Sequence, residues 1–347
     1  MKYIGNKTRV INFIENSLKK ERINYKNKKI IDLFAGTGSV SSFFLKNGST
    51  VYSCDNMLYS ICEQYRVNYF NNEPNFSELS SILDDCSLDG ILNYLNNLVP
   101  IKDYFYENYA PSGKYSRRYF TDENAMKIDA IRSEIENWKT LLSDEKFLFL
   151  TGILMCAADK VSNTSGTYGA YLKIWRSMAL KKILLEKPEF LSKGKNIIEL
   201  NDVIDFAKKY KKVDIVYMDP PYNKRQYASN FHVLENIVVY DKQKLNGKTG
   251  LRDYSSQKSD YCIKNKVKKS FQELVDNIDA KYIIMSYSTE GLLSVDDILD
   301  ILSKKGKTNI YRYDYRRFKT NAWTDSNTNL QELLFICKIC WNNKKMI

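Results

Sequence analysis

Histidine is almost missing from this chain: His232 is the single example in 347 residues. On that count, histidine metal sites and histidine-based catalytic triads are set aside. No apolar run is long enough to cross a bilayer, and no signal-peptide pattern opens the chain, so a cytoplasmic protein is expected. Cysteine is sparse, odd in number (7) and scattered, which excludes a disulfide framework and fits a reducing compartment. Cys337-Lys338-Ile339-Cys340 is a lone C-x-x-C with no second pair, so no zinc site is expected and no metal is assigned. Negative charge is the minority sign, with 41 Asp and Glu against 53 Lys and Arg, a formal net charge of +12. An excess of cations favours a polyanionic partner. The 26 tyrosines set among them suit stacking on bases. The length allows one large domain or two moderate ones.

The most informative stretch is Asp214-Ile215-Val216-Tyr217-Met218-Asp219-Pro220-Pro221-Tyr222. Its β-branched and aromatic start predicts a buried strand. Two consecutive prolines cannot donate to a sheet ladder and each fixes φ, so the strand ends there on a stiff turn. Pro221 biases Pro220 towards extended backbone. A carboxylate, a carbonyl and an aromatic ring are thereby held at a strand's carboxyl end, where open α/β sheets bind ligands. That trio suits methylation of an exocyclic aromatic amine. The lone pair of such an amine is delocalised into its ring. Two acceptors on its N–H bonds, the Asp219 carboxylate and the Pro220 carbonyl, would make it nucleophilic while the Tyr222 ring fixed the base plane. The plainer alternative is a strand-ending turn with a surface carboxylate.

Upstream, Lys29-Ile30-Ile31-Asp32-Leu33-Phe34 predicts another strand, and it runs into Ala35-Gly36-Thr37-Gly38-Ser39. A helix then starts near Val40, and Thr50 to Asp55 predicts a second strand. This is a β-α-β unit with a glycine turn and an acid at the end of its second strand. A dinucleotide site would prefer glycine or alanine at position 41, which is Ser, so a phosphate-free nucleoside ligand fits better.

Three motifs in one order carry a family resemblance: Lys2-Tyr3-Ile4-Gly5-Asn6-Lys7, then Asp32-Leu33-Phe34-Ala35-Gly36-Thr37-Gly38-Ser39, then Asp219-Pro220-Pro221-Tyr222. Together they resemble the Dam-like, D12-class (α-group) DNA adenine-N6 methyltransferases, in the longer form found in restriction–modification systems. The resemblance implies a Rossmann-like α/β fold, with a seven-stranded S-adenosylmethionine-dependent methyltransferase sheet closed by an antiparallel hairpin. It also implies an inserted, mostly helical target-recognition region. Residues 1–71 and 191–347 would form the catalytic part, and 72–190 the insertion.

Carried over by position, Tyr3 and Lys7 would line the S-adenosylmethionine pocket. Phe34, Ala35, Gly36 and Gly38 would pass under its methionine part, and Asp55 would take the ribose hydroxyls. Asp202 would lie near the cofactor adenine, or else serve only as a helix N-cap. Asp219, Pro220 and Tyr222 would be catalytic, with Asp219 also near the cofactor. The implied partner is duplex DNA, from which one adenine is flipped, with a cognate restriction endonuclease acting on the same site. An rRNA or tRNA adenine methyltransferase and a non-catalytic DNA-binding scaffold stand as alternatives.

The remaining segments are read more coarsely. Residues 57–71 predict a helix. Residues 103–120 read as an aromatic, basic loop in which Lys114, Arg117 and Arg118 suit phosphate contacts, or else as a loop pinned by buried tyrosines. Thr121-Asp122 caps a long helix with Ile128, Ile131, Ile135, Trp138 and Leu142 on its core face. A second helix carries Phe147, Leu150, Leu154 and Ala158, and 163–171 reads as a glycine-rich loop near DNA or a connector. Tyr227, Asn230 and His232 are close enough in sequence to Asp219 to shape a base pocket. Residues 241–270 read as either a second DNA-contacting loop or a solvated one. Lys281–Tyr287, the alternating Tyr311, Tyr313 and Tyr315, and Leu333–Cys337 predict three further strands.

Overall fold

The computed structural model of the chain describes residues 10–314 and 331–340. Seven strands form one sheet: β1 (Lys29–Leu33), β2 (Thr50–Asp55), β3 (Asn196–Leu200), β4 (Val213–Met218), β5 (Ala280–Ser288), β6 (Gly306–Asp314) and β7 (Gln331–Ile339). Their order is β3-β2-β1-β4-β5-β7-β6. The first five run parallel, and β7 lies antiparallel to both β5 and β6. This is the expected seven-stranded sheet with its closing hairpin. Strand order reverses between β1 and β4, and a crevice opens at such a switch point.

The helices are α1 (Ile11–Lys20), α2 (Ser39–Lys46), α3 (Leu58–Gln64), α4 (Leu88–Asn97), α5 (Tyr104–Tyr109), α6 (Asp122–Asn137), α7 (Asp144–Lys160), α8 (Val203–Lys209), α9 (Tyr227–Asn230), α10 (His232–Val239), α11 (Val267–Asn277) and α12 (Val295–Ser303). No helix among the described residues is long and apolar enough to cross a membrane.

Period-two alternation gives the sheet two apolar faces. Ile31, Val216, Ile283 and Phe335 pack with Phe206 of α8, Phe271 and Leu274 of α11 and Ile298 of α12. Ile30, Ile215, Ile284 and Leu334 pack with Ile14 and Leu18 of α1 and Phe44 of α2. Both faces of the central strands are therefore covered, which explains why those strands read as continuous apolar runs.

A third core belongs to a helical lobe. It joins residues of α3, α4, α5, α6 and α7 to Phe231, Leu234 and Ile237 beside and within α10. Residues 72–190 thus share their apolar interior with the helices that follow β2 and β4. Thr121 accepts the Asn124 N–H at the start of α6, and Ser143 accepts the Lys146 N–H at the start of α7. The capping expected at Thr121 is present. The helix ends at Asn137, so Trp138 and Leu142 lie buried just past it.

One loop reading is corrected here, and one open choice is decided. Tyr104–Tyr109 is helical, with Tyr104, Phe105, Tyr106 and Tyr109 buried. Its first turn has no local cap. Instead the buried Asp129 carboxylate of α6 accepts the N–H groups of Asp103, Phe105 and Tyr106 at 2.8–3.2 Å. Segment 163–171 is a pinned connector. Tyr168 is fully buried with its hydroxyl on Asp159 at 2.9 Å, and Asn163 clamps Leu172 through its side-chain amide and its carbonyl. The expected Tyr315 lies outside the described residues.

Candidate active site

A cavity of about 290 Å³ opens at the carboxyl ends of β1, β2 and β4. The turn after β1 makes its floor. Phe34 has φ +59°, Gly36 +53° and Gly38 +71°, so three of five consecutive residues sit in the left-handed region. Ala35 N–H donates to the Cys54 carbonyl, and Gly38 N–H returns to the Ala35 carbonyl at 2.8 Å. The requirement for glycine is steric as well as conformational. A Cβ on Gly38 would meet Asn68 Nδ2 at 2.4 Å and Gln64 Cγ at 2.9 Å. Those two buried amides brace the turn from behind, Gln64 donating to the Gly36 carbonyl at 3.2 Å and Asn68 to the Gly38 carbonyl at 2.8 Å. Sequence reasoning assigned neither, although both fall in the predicted helix 57–71. Asn68 sits in the π-helical turn Tyr65–Tyr69, which periodicity does not reveal.

Asp55 ends β2 and lines the cavity. One oxygen accepts the Gly36 N–H at 2.9 Å and the other the Met57 N–H at 3.0 Å. A carboxylate offers about four acceptor positions, so capacity remains for a ligand diol. Burial pushes its pKa up to about 6, against the pull of those amides. Asp32, also in the wall, accepts from the Ser41 hydroxyl at 2.6 Å. Burial, reinforced by the nearby charges of Asp219 and Asp55, raises it to about 7. Carboxylates that repel one another in a pocket wall favour a cationic ligand.

The N-cap reading of Asp202 holds. Its carboxylate caps α8, accepting from Ile204 and Asp205, and it lines the cavity. Asp219 and Pro221 line the cavity beside Phe34, Ala35 and Gly36, so the two internal motifs meet in one wall system. The Tyr222 ring stands edge-on to Tyr287 at 6.3 Å, and the Tyr222 carbonyl accepts the Leu292 N–H. Tyr227 also lines the cavity, its ring stacked on Phe231. Tyr3 and Lys7 lie outside the described residues.

The remaining wall comes from a segment whose sequence read only as lysine-rich loop. Gln257, Lys258, Ser259, Asp260 and Tyr261 all line the cavity, and Tyr261 packs edge-on against Phe34 at 4.8 Å. The buried Glu235 of α10 supports this side. It accepts from Leu58 and Tyr59 at the start of α3 and from the Gln257 amide at 2.7 Å. No local pattern pointed to it, because its partners are far away in sequence.

Two residues expected near DNA have other places. Arg117 is 3% exposed, and its guanidinium donates to the carbonyls of Asn108, Gly247 and Lys248 at 2.9–3.0 Å. It clasps α5 to the turn at 246–251, where burial removes it from solvent-facing phosphates. His232 is fully buried between the carbonyls of Ser229 and Thr249 at 3.0 and 3.1 Å and does not line the cavity. Burial holds its pKa below the ordinary imidazole value. Asn230 passes its carbonyl to the Tyr168 N–H at 2.7 Å. Arg118 and Lys114 are exposed. Arg118 donates to the Lys173 carbonyl, and the Lys114 ammonium lies over the Tyr115 ring. Among the described residues, no group of three His, Cys, Asp or Glu is placed to hold a metal ion.

The family model for D12 class N6 adenine-specific DNA methyltransferase matches residues 3–301. The chain is 37% identical over 332 residues to the type II methyltransferase M.NlaIII of Neisseria lactamica, covering 94% of this chain and 95% of that protein. It is 37% identical over 348 residues to the type II methyltransferase M.FokI of Planomicrobium okeanokoites, covering 96% of this chain and 52% of that protein. It is 35% identical over 344 residues to the modification methylase StsI of Streptococcus sanguinis, covering 96% and 51%. It therefore spans nearly all of the first relative and about half the length of the other two.

Proposed function

The chain belongs to the D12 class N6 adenine-specific DNA methyltransferase family, and on that premise we propose that the cavity at the carboxyl edge is the place where S-adenosylmethionine and the target adenine meet. The observation that carries this is the sharing of one cavity by Asp219 and Pro221, the β1 turn and Asp55. The residues present suit the cofactor: an acceptor for a ribose diol at Asp55, a glycine turn that lets backbone approach, and a carboxylate cluster for a cationic ligand. When bound, S-adenosylmethionine supplies an electrophilic methyl on a sulfonium.

In this reading Asp219 accepts one N–H of the adenine amine and the Pro220 carbonyl accepts the other, which localises the nitrogen lone pair. Tyr222 rotates from its edge contact with Tyr287 to cover the base. Tyr227, which lines the same cavity, packs against it. Asp219 and Pro220 would hold the amine toward the sulfonium methyl, whose S–CH3 bond breaks to leave a neutral thioether, and the amine's surplus proton would pass to solvent, so no general base is required. Positioning and exclusion of water carry most of the acceleration. The adenine reaches this site by leaving the duplex stack, which costs about a few kcal/mol. Residues 72–190 act as the target-recognition region, with exposed Lys114 and Arg118 touching phosphates.

The relatives are type II and modification methylases by name, which supports modification of one short DNA sequence paired with a cognate endonuclease. Mapping N6-methyldeoxyadenosine at base resolution on a random-sequence duplex library tests this. The expected result is methylation confined to one short sequence. Methyl groups scattered over unrelated adenines would overturn the site-specific reading.

A further inference from the structure

The cavity wall at 257–261 is distant in sequence from the catalytic motif, yet side-chain hydrogen bonds tie it to the loop that follows that motif. The Gln226 side chain makes a two-bond pair with the backbone of Ser259. Its Nε2 donates to the Ser259 carbonyl at 3.0 Å, and its Oε1 accepts the Ser259 N–H at 2.8 Å. Beside it, Cys262 Sγ donates to the Arg225 carbonyl at 3.4 Å. Gln226 immediately precedes α9 and stands four residues past Tyr222. Ser259 lies between Lys258 and Asp260, all three in the cavity wall. A primary amide matched to one residue's N–H and C=O reproduces a strand-like pairing and fixes both partners in distance and rotation. It makes no covalent bond and can break and reform.

We propose that the Gln226–Ser259 pair is a latch that couples occupancy of the cofactor cavity to engagement of the target base, with Gln226 acting as a positioning residue. The proposal rests on the reading above, in which residues 219–228 hold the base. A base seated against Asp219 and Tyr227 fixes the 223–228 loop. Through Gln226 that loop holds 257–261 against the cavity, so Tyr261 and Phe34 close on the cofactor. Linkage makes the effect reciprocal: each ligand tightens the other by the same factor. A second tie of the same wall serves as a comparison. Asn56 Nδ2 donates to the Gln257 carbonyl at 3.3 Å and anchors 257 to the end of β2, on the cofactor side only.

The test measures the dissociation constant of S-adenosylhomocysteine by calorimetry, with and without a duplex carrying the methylated sequence. For the native chain the duplex should tighten binding at least about 5-fold. In Gln226→Ala that ratio should fall close to one. Gln226→Glu keeps the acceptor for Ser259 N–H and loses the donor, so an intermediate ratio is expected even if the alanine variant folds poorly. Asn56→Ala should weaken binding in both conditions and preserve the ratio. A native ratio of one in a chain that binds cofactor and methylates DNA would overturn the latch while leaving the site reading intact. An unchanged ratio in Gln226→Ala, or an equal collapse in Asn56→Ala, would also overturn it. A native chain that binds no S-adenosylhomocysteine would overturn the site reading itself.

Discussion

The carboxyl edge of the sheet and the helical lobe treat buried charge in opposite ways. In the lobe three buried charges are matched to backbone. Asp129 takes three N–H groups, Arg117 serves three carbonyls, and Arg132 donates to the carbonyls of Ile237 and Val238 while pairing with Glu136. At the sheet edge Asp32 stands near the charges of Asp219 and Asp55, and like charge raises it further. Groups matched to backbone hold a shape. Groups held against like charge keep interaction capacity for a ligand, at a cost to the protein alone.

The sharpest way to break this contrast is to exchange the consequences of one residue from each region. Asp219→Ala should lower methyl transfer by at least about 10²–10³-fold while the melting curve stays near that of the native chain. Substantial remaining transfer in a single-turnover assay would end the catalytic assignment. Arg117→Ala should do the reverse. It leaves three carbonyls without their donor and should destabilise by about 3 kcal/mol, read by denaturant melts, with cofactor affinity unchanged. A variant that melts normally but loses salt-dependent DNA binding would make Arg117 a phosphate contact after all.

The pH dependence sharpens the comparison further. Asp32 is raised to about 7 and Asp55 to about 6, both chiefly by burial, from an ordinary value near 3.8. A raised acid favours its neutral form in the fold. The resulting stabilisation is complete below the unfolded value and is lost as pH rises through the folded one. Without ligand, the chain should therefore lose stability between about pH 4 and 7. Asp32→Asn should flatten that slope and stabilise the chain at pH 8 by an amount on the order of a few kcal/mol. A slope unchanged by the substitution would show that Asp32 is not held against its charge.

Asp55→Asn should weaken cofactor binding about 10–100-fold with little change in turnover at saturation, checked by calorimetry and kinetics. An unchanged dissociation constant would remove the ribose role. The smallest effect belongs to the lobe. Thr121→Ala removes the α6 cap and should cost about 1 kcal/mol, with transfer unaffected.

Legibility in the sequence follows the same division. The β1 turn, Asp55 and the Asp-Pro-Pro-Tyr turn could be read because their chemistry is local: glycines at left-handed positions, prolines that stop a strand, an acid at a strand's end. The Thr121 cap could be read for the same reason. Helix α5 could not, because its cap is Asp129, 23–26 residues away on another helix. Gln64, Asn68 and Glu235 escaped notice because each acts on backbone brought near only by the fold. Segment 257–261 looked from its lysines like a DNA-contacting loop or a solvated one, yet Tyr261 turns inward onto Phe34. Arg117 carried the composition of a phosphate contact, and only its burial shows that it serves the lobe instead.

The central claim is that one cavity at the sheet edge joins S-adenosylmethionine to a DNA adenine. Its most direct test incubates the purified chain with methyl-labelled S-adenosylmethionine and mixed-sequence duplex DNA, with bulk RNA in parallel, and separates the digested nucleosides by mass. Label in N6-methyldeoxyadenosine alone is the expected result. Label in RNA nucleosides or in N4-methylcytosine would contradict it.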